Sequence, residues 1–385
     1  MMKLGIIGYG GRIHNVAEEI MKVDPQCRIS AICDIRNEEI RQTFEREGRS
    51  DVAFYESPEE LASSKPDGIL IGTRCSSHTE VALKVFPSGI PVYMEKPVAT
   101  TYADLLRLKD GYEKHKPPVI VSFPLRGIVH VRLAKEIVDS GKIGAVEHVQ
   151  AVNNVPYGDV YFQHWYRDNA ETGGMFLQKA THDFDCINYL LGLRPTAVCA
   201  MTSKRVFNGS KPAGLTCPNC GERDVCMDSA IRKRLLGEPA FGEHCVYGED
   251  AGNEDSGSAI IRYENGMHAS YSQNFFVRKK AGSRSFRLLS YKGTLEFDLY
   301  TNVIKVYMHH TNRVESYDIN ADTGGHLGGD TVLAQQFVAM MRGERSAFST
   351  LEDGMLSALM CLKAKDSAAT DSFQKIEWPD PAEIK

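Results

Sequence analysis

The chain has 385 residues, 45 of them basic and 50 acidic, for a formal charge of −5. That length is too great for one small core and points to two domains. No basic tract interleaves with aromatics, which argues against a nucleic-acid partner, and no apolar stretch approaches the roughly 20 residues of a membrane span.

The chain begins directly with an apolar run at residues 4–7, followed by Gly8, Gly10 and Gly11 and then a helical pattern over 13–21. This reads as strand, tight turn and helix. A dinucleotide's pyrophosphate must approach the backbone closely, and its charge is well placed at free N–H groups of a helix N-terminus. A second strand over 28–33 ends at Asp34, placed to accept hydrogen bonds from the adenine ribose. A βα turn without a ligand would explain the glycines but not Asp34. Ile13 stands where a third glycine is expected, so the helix is expected slightly farther from the sheet. Asp34 should repel a 2′-phosphate and favour NAD; Arg36 could pair with that phosphate, which keeps NADP possible. The immediate start of the first strand leaves no room for a signal peptide. We therefore expect a cytoplasmic protein whose ten cysteines are thiols or metal ligands.

Further strands are expected at 52–54, 68–71, 92–94 and 119–123, with helices between them at 58–62 and 79–86. That alternation implies a doubly wound parallel sheet. The fifth strand runs into Glu95-Lys96-Pro97. Lys96 is a candidate catalytic or substrate-orienting cation, the alternative being a surface Glu-Lys pair. After residue 146 strands follow one another, at 146–152, 258–263, 268–276, 285–290, 293–298 and 303–308. This implies a second domain with an antiparallel or mixed sheet, closed by helices over 331–341 and 351–366. The expected boundary separates residues 1–124 from 125–385.

A helix entered through Gly173-Gly174 and ended by Gly192 carries Gln178, Lys179, His182 and Asp185. At helical spacing Gln178 and His182 share a face, Lys179 borders it and Asp185 lies one turn on. His182 is the first candidate for a base, since imidazole titrates near working pH; Lys179 is the second and would favour anionic substrates. A core histidine bonded to Asp185 is the alternative.

These motifs resemble the Gfo/Idh/MocA oxidoreductases over nearly the whole chain. The resemblance rests on the glycine turn Gly8–Arg12, Asp34, Thr73 and His78 in the fourth βα loop, Glu95-Lys96-Pro97, Trp165 with Arg167, His182, and the late Gly325-His326 to Asp330 run. It implies an N-terminal Rossmann domain and a C-terminal α/β domain with a mostly antiparallel open sheet. It also implies a homodimer or homotetramer and NAD(P)-dependent oxidation or reduction of a sugar, inositol or related polyol. Gly8, Gly10, Gly11, Arg12, Ile13, Asp34, Arg36, Thr73, His78, Glu95 and Lys96 would bind cofactor. Trp165, Arg167, Gln178, Asp185 and His326 would bind substrate. His326 and Asp330 lie near substrate by this resemblance, whereas from the residues alone Asp330 could cap the helix that follows. Two positions depart from the family pattern: Gln178 replaces an aspartate, and Pro124 replaces an asparagine that contacts cofactor. The family also holds NAD-dependent lyases or glycosidases with transient oxidation, and non-catalytic sensors; these are the competing readings.

Cys217-Pro-Asn-Cys220-Gly, with Cys226 and Cys245, forms a separate signal. Four thiolates at such spacing suit structural zinc; free or redox-active thiols and an iron–sulfur cluster are the alternatives. Zinc would staple the polar insertion at about 203–255, which has few apolar residues of its own.

Overall fold

The computed structural model describes residues 1–319, 325–344 and 348–380. Its chain divides into two compact units, Met1–Arg132 with Ala321–Leu359 and Trp378–Lys385, and Leu133–Asn320 with Met360–Glu377. The division is not a single cut near residue 124, because the chain returns late to the first unit. The apolar side chains Leu333, Ala334, Phe337, Val338 and Met340 join the core built on Leu4, Ile6, Ile13 and Tyr93. Burying that face in the first core outweighs its late position in sequence.

The first unit holds β1 (Met2–Ile7), β2 (Cys27–Cys33), β3 (Ala53–Phe54), β4 (Gly68–Ile71), β5 (Val92–Met94) and β6 (Val119–Val121). Their order is β3-β2-β1-β4-β5-β6, and every pair is parallel. The strand order reverses between β1 and β4, which is where doubly wound sheets bind ligands at the carboxyl ends of their strands. Helices α1 (Gly11–Val23), α2 (Asn37–Arg46), α3 (Pro58–Ser63), α4 (His78–Val85) and α5 (Tyr102–His115) make the crossovers. The segment Val129–Asp139 forms α6.

Ile13 is 1 % exposed, and its room is made on the facing strand. A Cβ placed on Gly72, just after β4, would lie 2.5 Å from Cβ of Ile13. The glycine that the motif lacks on the helix is thus supplied across the packing contact.

The second unit is built on β7 (Val146–Asn154), β8 (Pro195–Ser203), β9 (Ser256–Tyr263), β10 (His268–Asn274), β11 (Ser283–Ser290), β12 (Gly293–Asp298), β13 (Val303–Met308), β14 (Val314–Asp318) and β15 (Gln374–Lys375). They form one sheet in the order β14-β13-β12-β11-β7-β10-β9-β8-β15. β7 and β10 are parallel; the other pairs are antiparallel. Short helices α7 (Val160–Gln163) and α8 (Asn169–Thr172) precede a π-helical turn at Phe176–Ala180, which leads into α9 (Thr181–Leu191). Helix α10 (Ala230–Leu235) lies in the cysteine-rich insertion. Helix α11 is Gly329–Met341, and α12, Leu351–Thr370, precedes β15.

The insertion is better held than its composition suggests. Phe207, Val246 and Ala251 are fully buried with Val155, Phe162, Met175 and Phe275 in a small core of their own. Asp255 closes its neck by accepting hydrogen bonds from the amides of Val206 and Phe207, at 2.6 and 2.8 Å. No helix among the described residues is long and apolar enough to cross a membrane.

Candidate functional site

The first unit gathers a glycine turn, the N-terminus of α1 and Asp34 along the carboxyl ends of its strands. Gly10 precedes α1, and no side chain caps that helix or places an acid in its first turn. A Cβ on Gly11 would meet nothing within 4 Å, and one on Gly10 only a carbonyl at 4.0 Å. Internal packing does not require these positions to be bare, so they leave space at a positive helix end for a phosphate. Gly8 is constrained differently: its φ is +81°, and a Cβ there would lie 2.7 Å from the Thr73 amide.

Asp34 stands at the end of β2 with a nearly buried carboxylate. It accepts from the Tyr9 amide at 2.7 Å and from the Arg36 amide and Nε at 2.8 and 3.2 Å. The two residues expected to discriminate between cofactors are therefore an ion pair with each other. Arg36 also donates to the Tyr9 carbonyl at 3.2 Å.

Arg12 projects from the first turn of α1 and binds Glu95 at 2.9 Å, Ser122 Oγ at 3.1 Å and Asp330 at 2.7 and 2.8 Å. His326 completes the group through a 2.8 Å contact to Asp330. The Asp330 side chain is thus turned to Arg12 and His326; the residue that precedes α11 is Gly328, in the left-handed region. Burial would raise the Asp330 pKa, but hydrogen bonds from His326 and Arg12 hold it well below the usual carboxylate range. His78 is buried between two backbone carbonyls, those of Pro97 at 2.7 Å and Thr73 at 3.2 Å, and burial lowers its pKa. It ties the fourth βα loop to the segment after β5. Lys96 lies there, half-buried, before a cis peptide bond to Pro97. Pro124 opens a buried 3-10 turn, Pro124–Gly127, after β6.

The second unit carries the other polar cluster. Gly173 and Gly174 both have positive φ, and the turn after them is fastened by Glu254, which accepts from the Met175 and Phe176 amides at 2.8 and 3.2 Å. The chain then winds as a π turn, whose i to i+5 bonding breaks the 3.6-residue register and often marks function. The expected shared face of Gln178 and His182 assumed unbroken α-helix, and the π turn across 176–180 removes the basis for it. Gln178 and Asp185 are buried, whereas His182 is half-buried.

Lys179 is 6 % exposed and donates to the Tyr157 hydroxyl at 2.7 Å, with its ammonium 4.8 Å from the Tyr157 ring centre and 5.5 Å from that of Tyr161. Burial opposes its charge, but the two phenols outweigh that and hold its pKa up. Asp183 accepts from Asn153 at 2.8 Å, Tyr271 at 2.8 Å and Arg284 Nε at 2.7 Å. Tyr157, Asp183, Tyr271 and Arg284 carried no motif in the sequence. β7, β10, β11 and the helix bring them together.

Trp165 stacks on Tyr166, ring centres 3.9 Å apart. Arg167 is directed into the insertion, where it binds Asp250 at 2.6 Å. Burial lowers its pKa, and its Nε and Nη1 are buried without hydrogen-bond partners. The four cysteines of the insertion line one small cavity with Arg223, Asp228 and Tyr247. An antiparallel bridge between Thr216 and His244 pairs the segments that carry Cys217 and Cys245. The amides of Ala230, Asp228 and Tyr247 donate to the sulfurs of Cys217, Cys226 and Cys245 respectively. None of the ten cysteines is joined in a disulfide. Among the described residues, no group of three or more His, Cys, Asp or Glu side chains is arranged to hold a metal ion.

Comparison with known proteins agrees with this architecture. Residues 2–123 match the oxidoreductase family with an NAD-binding Rossmann fold, and residues 131–296 match the GFO/IDH/MocA C-terminal domain. A putative oxidoreductase, YteT of Bacillus subtilis, is 26 % identical over 316 residues, covering 72 % of this chain and 73 % of its own. Myo-inositol 2-dehydrogenase of Thermotoga maritima is 25 % identical over 337 residues, covering 84 % and 92 %. A levoglucosan dehydrogenase solved with NADH and levoglucosan superposes with a TM-score of 0.76 at 18 % identity, covering 97 % and 99 %. The parallel sheet with its bare glycine turn and terminal aspartate, and the largely antiparallel sheet that follows, are those of an NAD-binding oxidoreductase, and the chain belongs to the Gfo/Idh/MocA family.

Proposed function

We propose that this protein is an NAD-dependent dehydrogenase that transfers a hydride between the nicotinamide and a sugar, inositol or related polyol. The observation that carries the reading is the fixed Asp34 carboxylate beside a glycine turn whose open positions need not be glycine for packing. Bound NAD supplies the hydride acceptor. Asp34 would hold the adenine ribose, and the N-terminus of α1 the pyrophosphate. NAD is preferred over NADP in this reading because Asp34 would lie against a 2′-phosphate, with Arg36 already engaged by Asp34 and the Tyr9 carbonyl. Lys96 would hold the reacting oxygen and stabilise its alkoxide character, and His182 would take the hydroxyl proton.

The same proposal includes one structural zinc per chain on Cys217, Cys220, Cys226 and Cys245. Its support is the cavity that the four cysteines share and the amides that point at three of the sulfurs; burial meanwhile raises the thiols of Cys226 and Cys245 against those hydrogen bonds. The side chains would have to converge further to bind the ion. A homodimer or homotetramer in the cytoplasm completes the reading; light scattering on the purified protein reads its mass.

The direct test is NADH formation across a panel of inositols, sugars and polyols. Lys96→Ala and His182→Ala should each lower turnover about 10²–10⁴-fold with NAD affinity near wild type. A true substrate that both variants turn over normally would remove these residues from the chemistry.

A further inference from the structure

Lys179 is a nearly buried ammonium whose hydrogen-bond partner is a phenol rather than a carboxylate. Its surroundings are short of negative charge. Arg284 lies in the same cluster, and Asp183 is engaged by Arg284, Tyr271 and Asn153. Arg284 thus has the Asp183 carboxylate and Lys179 the Tyr157 hydroxyl, while Asp298 nearby accepts from Ser283 Oγ and from the Arg284 and Tyr300 amides. Burying a cation without an anion is costly, and a phenolate on Tyr157 would restore the balance. Tyr157 has the access for such a role, since it is 38 % exposed while the cations behind it are not. It is also held in place. A Cβ on Gly158, the next residue, would lie 2.1 Å from the Phe275 carbonyl oxygen, so the loop after β7 sits directly on the backbone that follows β10.

We propose that Tyr157 is a further catalytic residue of the dehydrogenase reaction, a second proton acceptor beside His182, and that Lys179 is a positioning residue that acts through it. The inference rests on the oxidoreductase reading above. In the oxidation the substrate O–H bond would break, its proton passing to Oη of Tyr157, and the electron pair left on oxygen would form the carbonyl; NAD, when bound, would supply the acceptor for the C–H hydrogen and its bonding pair. The phenol then loses the proton to solvent. The groups that face Tyr157 are Lys179 on the π turn, Asp183 on α9, Arg284 on β11, Tyr161 on α7 and Tyr300 beyond β12. Lys179 and, behind it, Arg284 hold the Tyr157 phenol below its usual value against the opposing effect of burial. Burial raises the other two phenols. The π turn thus places a lysine beneath an accessible tyrosine. Lys179, the second candidate base from the sequence, acts here as the charge that favours the phenolate of Tyr157.

The test begins with the protein free of substrate. Ultraviolet difference titration should show one tyrosine ionising before the rest. That early step should vanish in Tyr157→Phe and move up by about 1–3 pH units in Lys179→Met, as expected for loss of a cation at hydrogen-bond distance. Lys179→Arg, which keeps the charge, covers the case in which the methionine variant fails to fold; it should retain an early step. With a substrate in hand, the lower limb of kcat/KM for oxidation should move up in the same way. His182→Ala should lower the plateau and leave the limb in place. Absence of an early tyrosinate, or a Tyr157→Phe enzyme with the wild-type limb, overturns the inference. The titration reads Tyr157 without turnover, so its failure is distinct from a failure to form NADH with any polyol, which would instead remove the dehydrogenase reading.

Discussion

Replacing Asp34 with alanine should change which dinucleotide the protein prefers. The carboxylate is nearly buried and accepts three hydrogen bonds from Tyr9 and Arg36. In the bound state it would also accept from the adenine ribose. A hydrogen bond to a charged group contributes about 1.5–3 kcal/mol, so loss of the ribose contact should weaken NAD about 10- to 150-fold. NADP should respond in the opposite sense. The substitution removes the charge facing a 2′-phosphate and releases Arg36 to pair with it bidentately. The ratio of the two dissociation constants should therefore fall by at least about tenfold, by the same conversion. Calorimetric titration of wild type and Asp34→Ala with both cofactors measures that ratio directly. Arg36→Ala in the same background is the control: it should abolish any gain for NADP. A ratio that stays within twofold of wild type would mean that Asp34 serves only to brace the Tyr9 turn, and the case for NAD preference would go with it.

Gly72→Ala should destabilise the first unit by about 1–3 kcal/mol, the usual cost of overpacking, because the new methyl would meet Ile13 at 2.5 Å; unchanged chemical denaturation would show that the contact relaxes freely. Asp330→Asn should lower stability at neutral pH, by weakening the Arg12 and His326 contacts. The folded pKa of Asp330 lies below its unfolded value of about 3.9, so its contribution is full above that value and lost as pH falls through the folded one. The gap between the variant and wild type should accordingly narrow under strong acid, and a gap that widens there refutes the assignment. Protein purified without added metal should carry close to one zinc per chain by elemental analysis. Cys220→Ser should release it and lower the thermal midpoint. Metal-free protein whose midpoint ignores chelators would count against the site.

The parallel sheet was legible because strands buried on both faces form continuous apolar runs; the runs expected at 68–71 and 92–94 coincide with β4 and β5. β14 was not. Its Val-Glu-Ser-Tyr-Asp sequence alternates exposed and half-buried positions at a sheet edge, where charged residues block further pairing and no apolar run exists to be read. β8 begins at a proline and runs straight into the polar insertion, which masks it. The glycine turn and Asp34 were legible for a local reason: they lie at the ends of the first strands, within one βαβ unit. The Tyr157 cluster has no such locality. Its members come from a loop, a helix and two strands far apart in sequence, and the π turn breaks the helical spacing that would have grouped them. Arg167, given a substrate role by the resemblance, has its Nη2 bound to Asp250, a contact the resemblance could not foretell because Asp250 belongs to this chain's own insertion.

The pairing of Ile13 with Gly72 bears on how glycine motifs should be searched. Close approach of helix to strand is a demand on the gap between two backbones, and either wall can supply the missing methyl group. With glycine at the helix position, the position after the fourth strand would be free to carry a side chain. A chain with bulk at both positions must open the gap or lose the fold. Pattern searches that score the third glycine alone discard sequences such as this one, whereas scoring both positions together would retain them. The swap also gives protein engineers a means to alter the turn next to the pyrophosphate: exchanging bulk from one wall to the other should tilt the first helix with little loss of packing volume.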